Sequence, residues 1–208
     1  MPRVTPLPSS ALAPEIAEVY DRFVSYGPFR DQAAVLAHVP PALDHLCRML
    51  MELKARRGVT WRYIELAIVV VSQLNACTYC VASHSPVLAV EGLPADAIAA
   101  LPSTDHPAFD EVDRLVVEYA TLVTQNAGRI RDNVFDRLRR HFSEAEIVEL
   151  TLRIALAGFY NRFNDALQID DGSAADRLAA FLAPLEPQDT QPIRPPHISS
   201  TDDNGDLR

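Results

Sequence analysis

Residues 61–75, WRYIELAIVVVSQLN, carry apolar side chains on almost every side of a helical wheel: Ile64, Leu66, Ala67, Ile68, Val69, Val70, Val71 and Leu74. A segment of that kind has no face to give to water, so other elements must enclose it. Five of those residues are β-branched, and by propensity alone a strand stays open. The stretch runs for about 15 residues with no turn signal, against roughly 4–8 for a strand, and we read it as a buried helix. Whatever this chain folds into is built around that segment.

The flanking sequence supplies partners of the same kind. Most prolines collect at the two ends, leaving room between them for long uninterrupted elements. Residues 1–13 form a Pro-rich arm, and Pro14 opens a helix to about residue 26, ended by Gly27-Pro28. A short helix is predicted over 31–38, then a longer one over 41–56 after the Pro40-Pro41 break. Its stripe of Leu43, Leu46, Leu50 and Leu53 repeats at three and four, and Gly58 closes it. Thr60 is positioned to cap the apolar helix. Asn75-Ala76 interrupts, and the next helix starts near Cys77 or Thr78 and ends before Pro86 or at Gly92.

Further helices are predicted over 94–101, 107–125 and 132–142, with Asn126-Ala127-Gly128 as a C-cap. Ser143 and Glu146 form a capping box that opens a long helix over 144–168. Residues 173–183 make a last turn or two. From 184 to 208 apolar residues are too sparse to order the chain, so a disordered tail is expected. The expectation is one all-α helical bundle over 14–183. A shift of 84 residues also lays Ile64-Glu65-Leu66 on Val148-Glu149-Leu150, and Cys77, Cys80 and His84 on Asn161, Asn164 and Gln168. A helical-hairpin unit that occurs twice would explain this echo, and so would chance similarity of two amphipathic helices.

Bulk properties exclude some partners. A net charge of -9 argues against nucleic acid, which needs clustered cations. The longest apolar run, ending at Val71, falls far short of the ~20 residues of a membrane span. The N-terminus has no apolar core of a secretory signal. Three cysteines, two of them close together, fit a reducing compartment, and a cytoplasmic location is expected.

Chemistry-bearing residues crowd around the apolar helix: Glu65, then Cys77-Thr78-Tyr79-Cys80, then His84. With Thr78 onward helical, Cys77, Cys80 and His84 share a face. A thiol near pKa ~8.5 is mostly protonated at neutral pH, and the thiolate is the nucleophile. Two devices can lower that value. A helix N-terminus favours an anion at Cys77, whereas His84, one turn beyond, favours Cys80. A sulfenic acid formed on one sulfur can be captured by a thiol three residues away. On an apolar helix Glu65 is an expensive carboxylate, and desolvation is expected to move it towards general-base range.

Each residue has a plainer reading. The cysteines can be inert core residues. A structural zinc site would need four ligands, and no second C-x-x-C or H-x-x-x-H exists to provide them, so no metal and no cofactor are expected. His84 can hydrogen-bond locally, and Glu65 can pair with Arg62 or Arg153. Cys47 lies on the leucine stripe and reads as core. His38, His45, His106, His141 and His197 read as surface or local contacts; Tyr160, Asn161, Arg162, Phe163 and Asn164 can line a pocket, with packing of the second hairpin as the plainer role.

The pattern of a Glu, eleven residues, C-x-x-C and, after three more residues, a His resembles the carboxymuconolactone decarboxylase / alkylhydroperoxidase D-like family. So do the apolar helix before the thiols, Gly92-Leu93-Pro94 after them, and FSEAEIVELTLRIALAGFYNRFNDAL near the C-terminus. The resemblance covers roughly 14–183. It implies an all-helical fold that assembles as a homo-oligomer, trimer or hexamer. It also implies a peroxidase that takes a small-molecule peroxide and an external dithiol reductant. Carried onto this sequence, Cys80 is peroxidatic, Cys77 resolving, Glu65 a general base or proton relay, and His84 the partner of the thiolate. Tyr79 stands where such peroxidases carry a second His, and a phenol cannot accept a proton near neutral pH as imidazole does. The alternatives are a lyase or isomerase acting on a small organic acid through Glu65 and His84, and a non-catalytic helical or redox-sensing module.

Overall fold

The computed structural model describes residues 2–26, 29–169 and 173–182, and among these every regular element is helical. The α-helices are α1 (Pro14–Tyr26), α2 (Arg30–Leu36), α3 (Pro40–Arg56), α4 (Trp61–Leu74), α5 (Thr78–Val90), α6 (Ala95–Ala100), α7 (Glu111–Asn126), α8 (Asp132–Leu138), α9 (Glu144–Leu167) and α10 (Ala174–Leu182). The apolar segment is α4, and it is the hub, packing on α5, α7 and α9. Ile64, Leu66, Val69, Val70 and Val71 are fully enclosed, each contributing about 1.5–3 kcal/mol by burial. A helix satisfies its own backbone there, whereas a lone strand among helices would leave its N–H and C=O groups unpaired.

Two apolar clusters lie side by side. One joins α4, α7 and α9 with parts of α5, α6 and α8, and includes Leu88, Ile98, Phe109, Val116 and Leu150. The other joins α1, α2 and α3 around Phe23, Leu43 and Cys47, with Tyr160 and Phe163 of α9 packed against it. Cys47 is therefore core. The Pro-rich arm is pinned to the bundle: Arg3 N–H donates to the Leu167 carbonyl at 2.8 Å, and Leu7 N–H to the Ala34 carbonyl at 2.9 Å.

Several boundaries differ from the sequence reading, each for a local reason. Helix α7 starts at Glu111 and not at 107, because Asp110 and Asp113 form a capping box: Asp113 N–H donates to Asp110 Oδ1 at 2.7 Å and Asp110 N–H to Asp113 Oδ2 at 3.1 Å. Gly128 is no left-handed cap, since the chain enters a 3-10 turn over Ala127–Arg129. Thr60 is the N-cap residue of α4 but makes no capping bond through its hydroxyl. Pro86 does not end α5. It sits exposed within the helix while its neighbour Ser85 and, two residues on, Leu88 are buried, so packing outweighs the one backbone bond that Pro removes. The predicted tail over 184–208 and the Gly27-Pro28 stop lie outside the described residues.

The repeat fails at one point. α4 and α5 are two helices separated at Asn75-Cys77, where Ala76 takes φ 56°, whereas the 84-residue-shifted segment is the single helix α9. The break turns Cys77 and Cys80 inward at the start of a new helix.

Candidate active site

The break between α4 and α5 makes Cys77 the N-cap residue of α5 and Cys80 the third residue of its first turn. Free backbone N–H groups and the positive end of the helix dipole favour an anion there. The two sulfurs face each other: the Cys77 thiol donates to Cys80 Sγ at 2.8 Å. A covalent S–S bond is about 2.05 Å, so only a short further approach separates them.

The two thiols are not equivalent. Cys77 is fully buried, and Cys80, 4% exposed, borders a cavity of ≈ 170 Å³ that Cys77 does not reach. Cys80 accepts hydrogen bonds from Cys77 and from Asn164 Nδ2, the latter at 3.3 Å. The hydrogen bond from Cys77 comes first in holding the Cys80 thiol down at about 7; the amides of Asn164 and Asn161 and the nearby His84 add to it, against the opposing effect of burial. The same hydrogen bond, together with burial, pushes Cys77 up, because its proton is the one that Cys80 uses. A thiolate is therefore favoured on Cys80, with the Cys77 thiol donating to it from behind.

Across the cavity, His84 Nδ1 lies 2.8 Å from Glu65 Oε2. Glu65 is 2% exposed and the His84 side chain 18%. Burial alone would depress the imidazole, but the charge and hydrogen bond of Glu65, with help from Cys80, outweigh it and raise its affinity for a proton. With Nδ1–H donating to the carboxylate, the orientation of the ring is fixed. Glu65 pairs with neither Arg62 nor Arg153. Arg62 forms a two-pronged pair with Asp113, at 2.9 and 2.6 Å, and Arg153 lies near Glu149.

Cys77, Cys80, Glu65 and His84 are thus brought together. Tyr79 is not: it is absent from the cavity wall, and its ring packs beside Ala174 and Leu178 with the Arg177 guanidinium 5.7 Å above it. As the residue just before Cys80 it points to another side of the helix.

Two residues read from the sequence as packing belong to the site. Asn164 donates to the thiol, and Asn161 lines the cavity. Asn161 is held by a chain of bonds: Asn75 Nδ2 donates to its Oδ1 at 2.9 Å, and its own Nδ2 donates to Ser72 Oγ at 3.1 Å. Ser72 in turn donates to the Ile68 carbonyl. Beyond their polar place among residues able to line a pocket, the sequence signal for these amides is the 84-residue echo, which lays Asn161 and Asn164 on Cys77 and Cys80. The cavity walls are otherwise mostly apolar, including Phe29 before α2, Leu50 of α3, Ile68 of α4 and Leu156 of α9. Among the described residues no group of three or more His, Cys, Asp or Glu side chains is arranged to ligate a metal, and no helix is long and apolar enough to cross a membrane.

Comparison with known proteins places this geometry in context. The model of the carboxymuconolactone decarboxylase family matches residues 40–110, which include Glu65, both thiols and His84. An uncharacterised Escherichia coli protein, YnjA, is 30% identical over 100 residues, spanning 48% of this chain and 55% of that protein. The match thus covers about half of that relative's length. Among solved structures, a putative antioxidant defence protein AhpD of Agrobacterium tumefaciens, of unknown function, superposes with a TM-score of 0.52 at 27% identity, over 60% of this chain and 89% of that one. An alkylhydroperoxidase AhpD core protein from Ralstonia eutropha, described as peroxidase-related, gives a TM-score of 0.68 at 20% identity, over 88% of this chain and 98% of that one. The debrominase Bmp8, solved with 2,3,4-tribromopyrrole, gives 0.70 at 20% identity over 86% and 96%. The last two likenesses concern the fold.

Proposed function

For a chain that belongs to the carboxymuconolactone decarboxylase / alkylhydroperoxidase D-like family, we propose a thiol-dependent oxidoreductase that reduces hydroperoxides. The observation that carries this reading is the asymmetry of the thiols: Cys80 borders the cavity with its anion stabilised, and Cys77 waits 2.8 Å behind it.

In the first step the Cys80 thiolate attacks the terminal peroxide oxygen. An S–O bond forms, the O–O bond breaks, and the departing alkoxide takes a proton from the His84 imidazolium, leaving an alcohol and a sulfenic acid. Glu65 holds the imidazole in place and favours its charged form. In the second step the Cys77 sulfur attacks Cys80, the S–S bond forms, the S–O bond breaks, and water leaves. An external dithiol then supplies two electrons and two protons to restore both thiols. Tyr79 has no part in these steps.

The test is hydroperoxide consumption coupled to dithiol oxidation. Cys80→Ser is expected to abolish it and Cys47→Ser to leave it intact, with mass spectrometry of the peroxide-treated native protein showing a Cys77–Cys80 crosslink. The Glu65–His84 pair also suits the lyase or isomerase alternative, in which turnover of a small organic acid would survive replacement of both Cys77 and Cys80 by Ser. Turnover that survives that double replacement would overturn the redox reading.

A further inference from the structure

The cavity that meets Cys80 has a second polar end. Arg153 of α9 lines it and is only 4% exposed, yet its Nε has no hydrogen-bond partner among the described residues. Its nearest carboxylate, Glu149, is 3.7 Å away, too far for a hydrogen bond and with Oε2 itself unpartnered. What the guanidinium does have is the face of Trp61, 5.6 Å from Cζ, and the Lys54 ammonium lies 4.8 Å from the same ring. A ring face offsets charge but accepts few hydrogen bonds. An enclosed guanidinium with donors unused is costly unless something accepts from it.

Its position relative to the thiol is set by two helices that run in the same direction. Trp61 of α4 meets Arg153 of α9 at one end, and Ser72 of α4 meets Asn161 of α9 at the other. From Arg153 to Asn161 the helix rises roughly 12 Å. Between them the wall carries Ile68, Leu156 and Ala157, together with Glu65 of α4, whose carboxylate is paired with His84. The Tyr160 hydroxyl, buried and unpartnered among the described residues, is the further polar atom on this wall.

Resting on the hydroperoxide reading above, we propose that the substrate is an apolar monocarboxylic acid carrying the hydroperoxide at its far end. Arg153 binds the carboxylate, the apolar part of the wall takes the body, and the peroxide lies at Cys80. Glu65, between the two ends, repels an anion from the middle of the cavity, and Arg153 and Lys54 attract it to their end; Glu149, 3.7 Å from Arg153 but not on the cavity wall, offsets part of that attraction. Arg153 is a binding residue that acts at the end of the cavity away from the reacting atoms.

The experiment compares ω-hydroperoxyoctanoate with its methyl ester as substrates of the full chain, which differ in charge and not in reactive group. The native protein is expected to prefer the acid in kcat/KM by on the order of 10- to 100-fold, the range for a hydrogen bond to a buried charge. In Arg153→Gln the ratio falls to about one, and Arg153→Lys keeps part of it. An independent reading uses Trp61, the single tryptophan of the chain. Octanoate, which cannot react, is expected to change its fluorescence saturably, and octanol is not. Equal rates for acid and ester in the native protein, with no response to octanoate, would overturn the proposal while leaving the peroxidase reading standing. Octanoate binding that depends on Arg153, with neither hydroperoxide consumed, would uphold the anion site and remove the peroxidase reading instead.

Discussion

The amide of Asn164 should set how readily this protein reacts. Its Nδ2 lies 3.3 Å from Cys80 Sγ, Asn164 is 2% exposed, and water has little room to replace it. A hydrogen bond to a charged group in such a place is worth about 1.5–3 kcal/mol, and one pKa unit is 1.36 kcal/mol, so its loss should raise Cys80 by about 1–2 units. From about 7 the thiol would then move to roughly 8–9, and at pH ~7 the thiolate fraction would fall from about half to about 1–10%. Asn164→Leu removes the donor. Asn164→Asp replaces it with an isosteric carboxylate that repels the thiolate and should push the value further up. The assay is the rate of alkylation by iodoacetamide against pH, with mass spectrometry to assign the modified residue. Cys77, pushed up by its bond to Cys80, and buried Cys47, at about 12, should stay silent near neutrality. Alkylation at neutral pH should slow by about 5- to 50-fold in Asn164→Leu. A midpoint that stays near its native position in both variants would refute the argument that the amide stabilises the anion.

Other consequences are equally open to measurement. Asp113 is fully buried, takes both prongs of Arg62, and completes the α7 capping box; Asp113→Ala should cost about 3–5 kcal/mol in chemical denaturation, and a loss near zero would contradict the pairing. The His84 imidazole is raised above its ordinary 6.5, so the folded state holds the proton more tightly than the unfolded one. The stabilisation is therefore complete below about 6.5 and disappears as pH rises through the folded-state value. The Tm difference between native protein and His84→Gln should accordingly shrink as pH rises, and a difference that grows with pH would invert the linkage.

Much of the architecture could be read from local signals, and the misses have local causes. Pro14 and the Ser143–Glu146 box mark helix starts because each meets the needs of a first turn on its own. The Asp110 start of α7 carries no S/T-x-x-E/Q signature, because its reciprocal partner is Asp113 and not Glu or Gln. The group of Glu65, Cys77, Cys80 and His84 was legible since its members lie on two consecutive helices. Asn164, Asn161 and Arg153 were not, because α9 brings them in from more than 70 residues away, and neither an amide nor an arginine announces its role without a neighbour in view. Tyr79 shows the converse: the resemblance gives it the place of a second His just before Cys80, and helical rotation carries its side chain away from the cavity.

Cys77 has no contact with the cavity, and this has a bearing on turnover order. Under the proposed chemistry, an incoming dithiol can reach the oxidised pair only at the sulfur of Cys80, so the mixed disulfide forms there and Cys77 departs as the leaving group. Oxidant and reductant then enter by one doorway and exclude each other. Such a protein alternates strictly between its two customers, and an excess of either one slows the other.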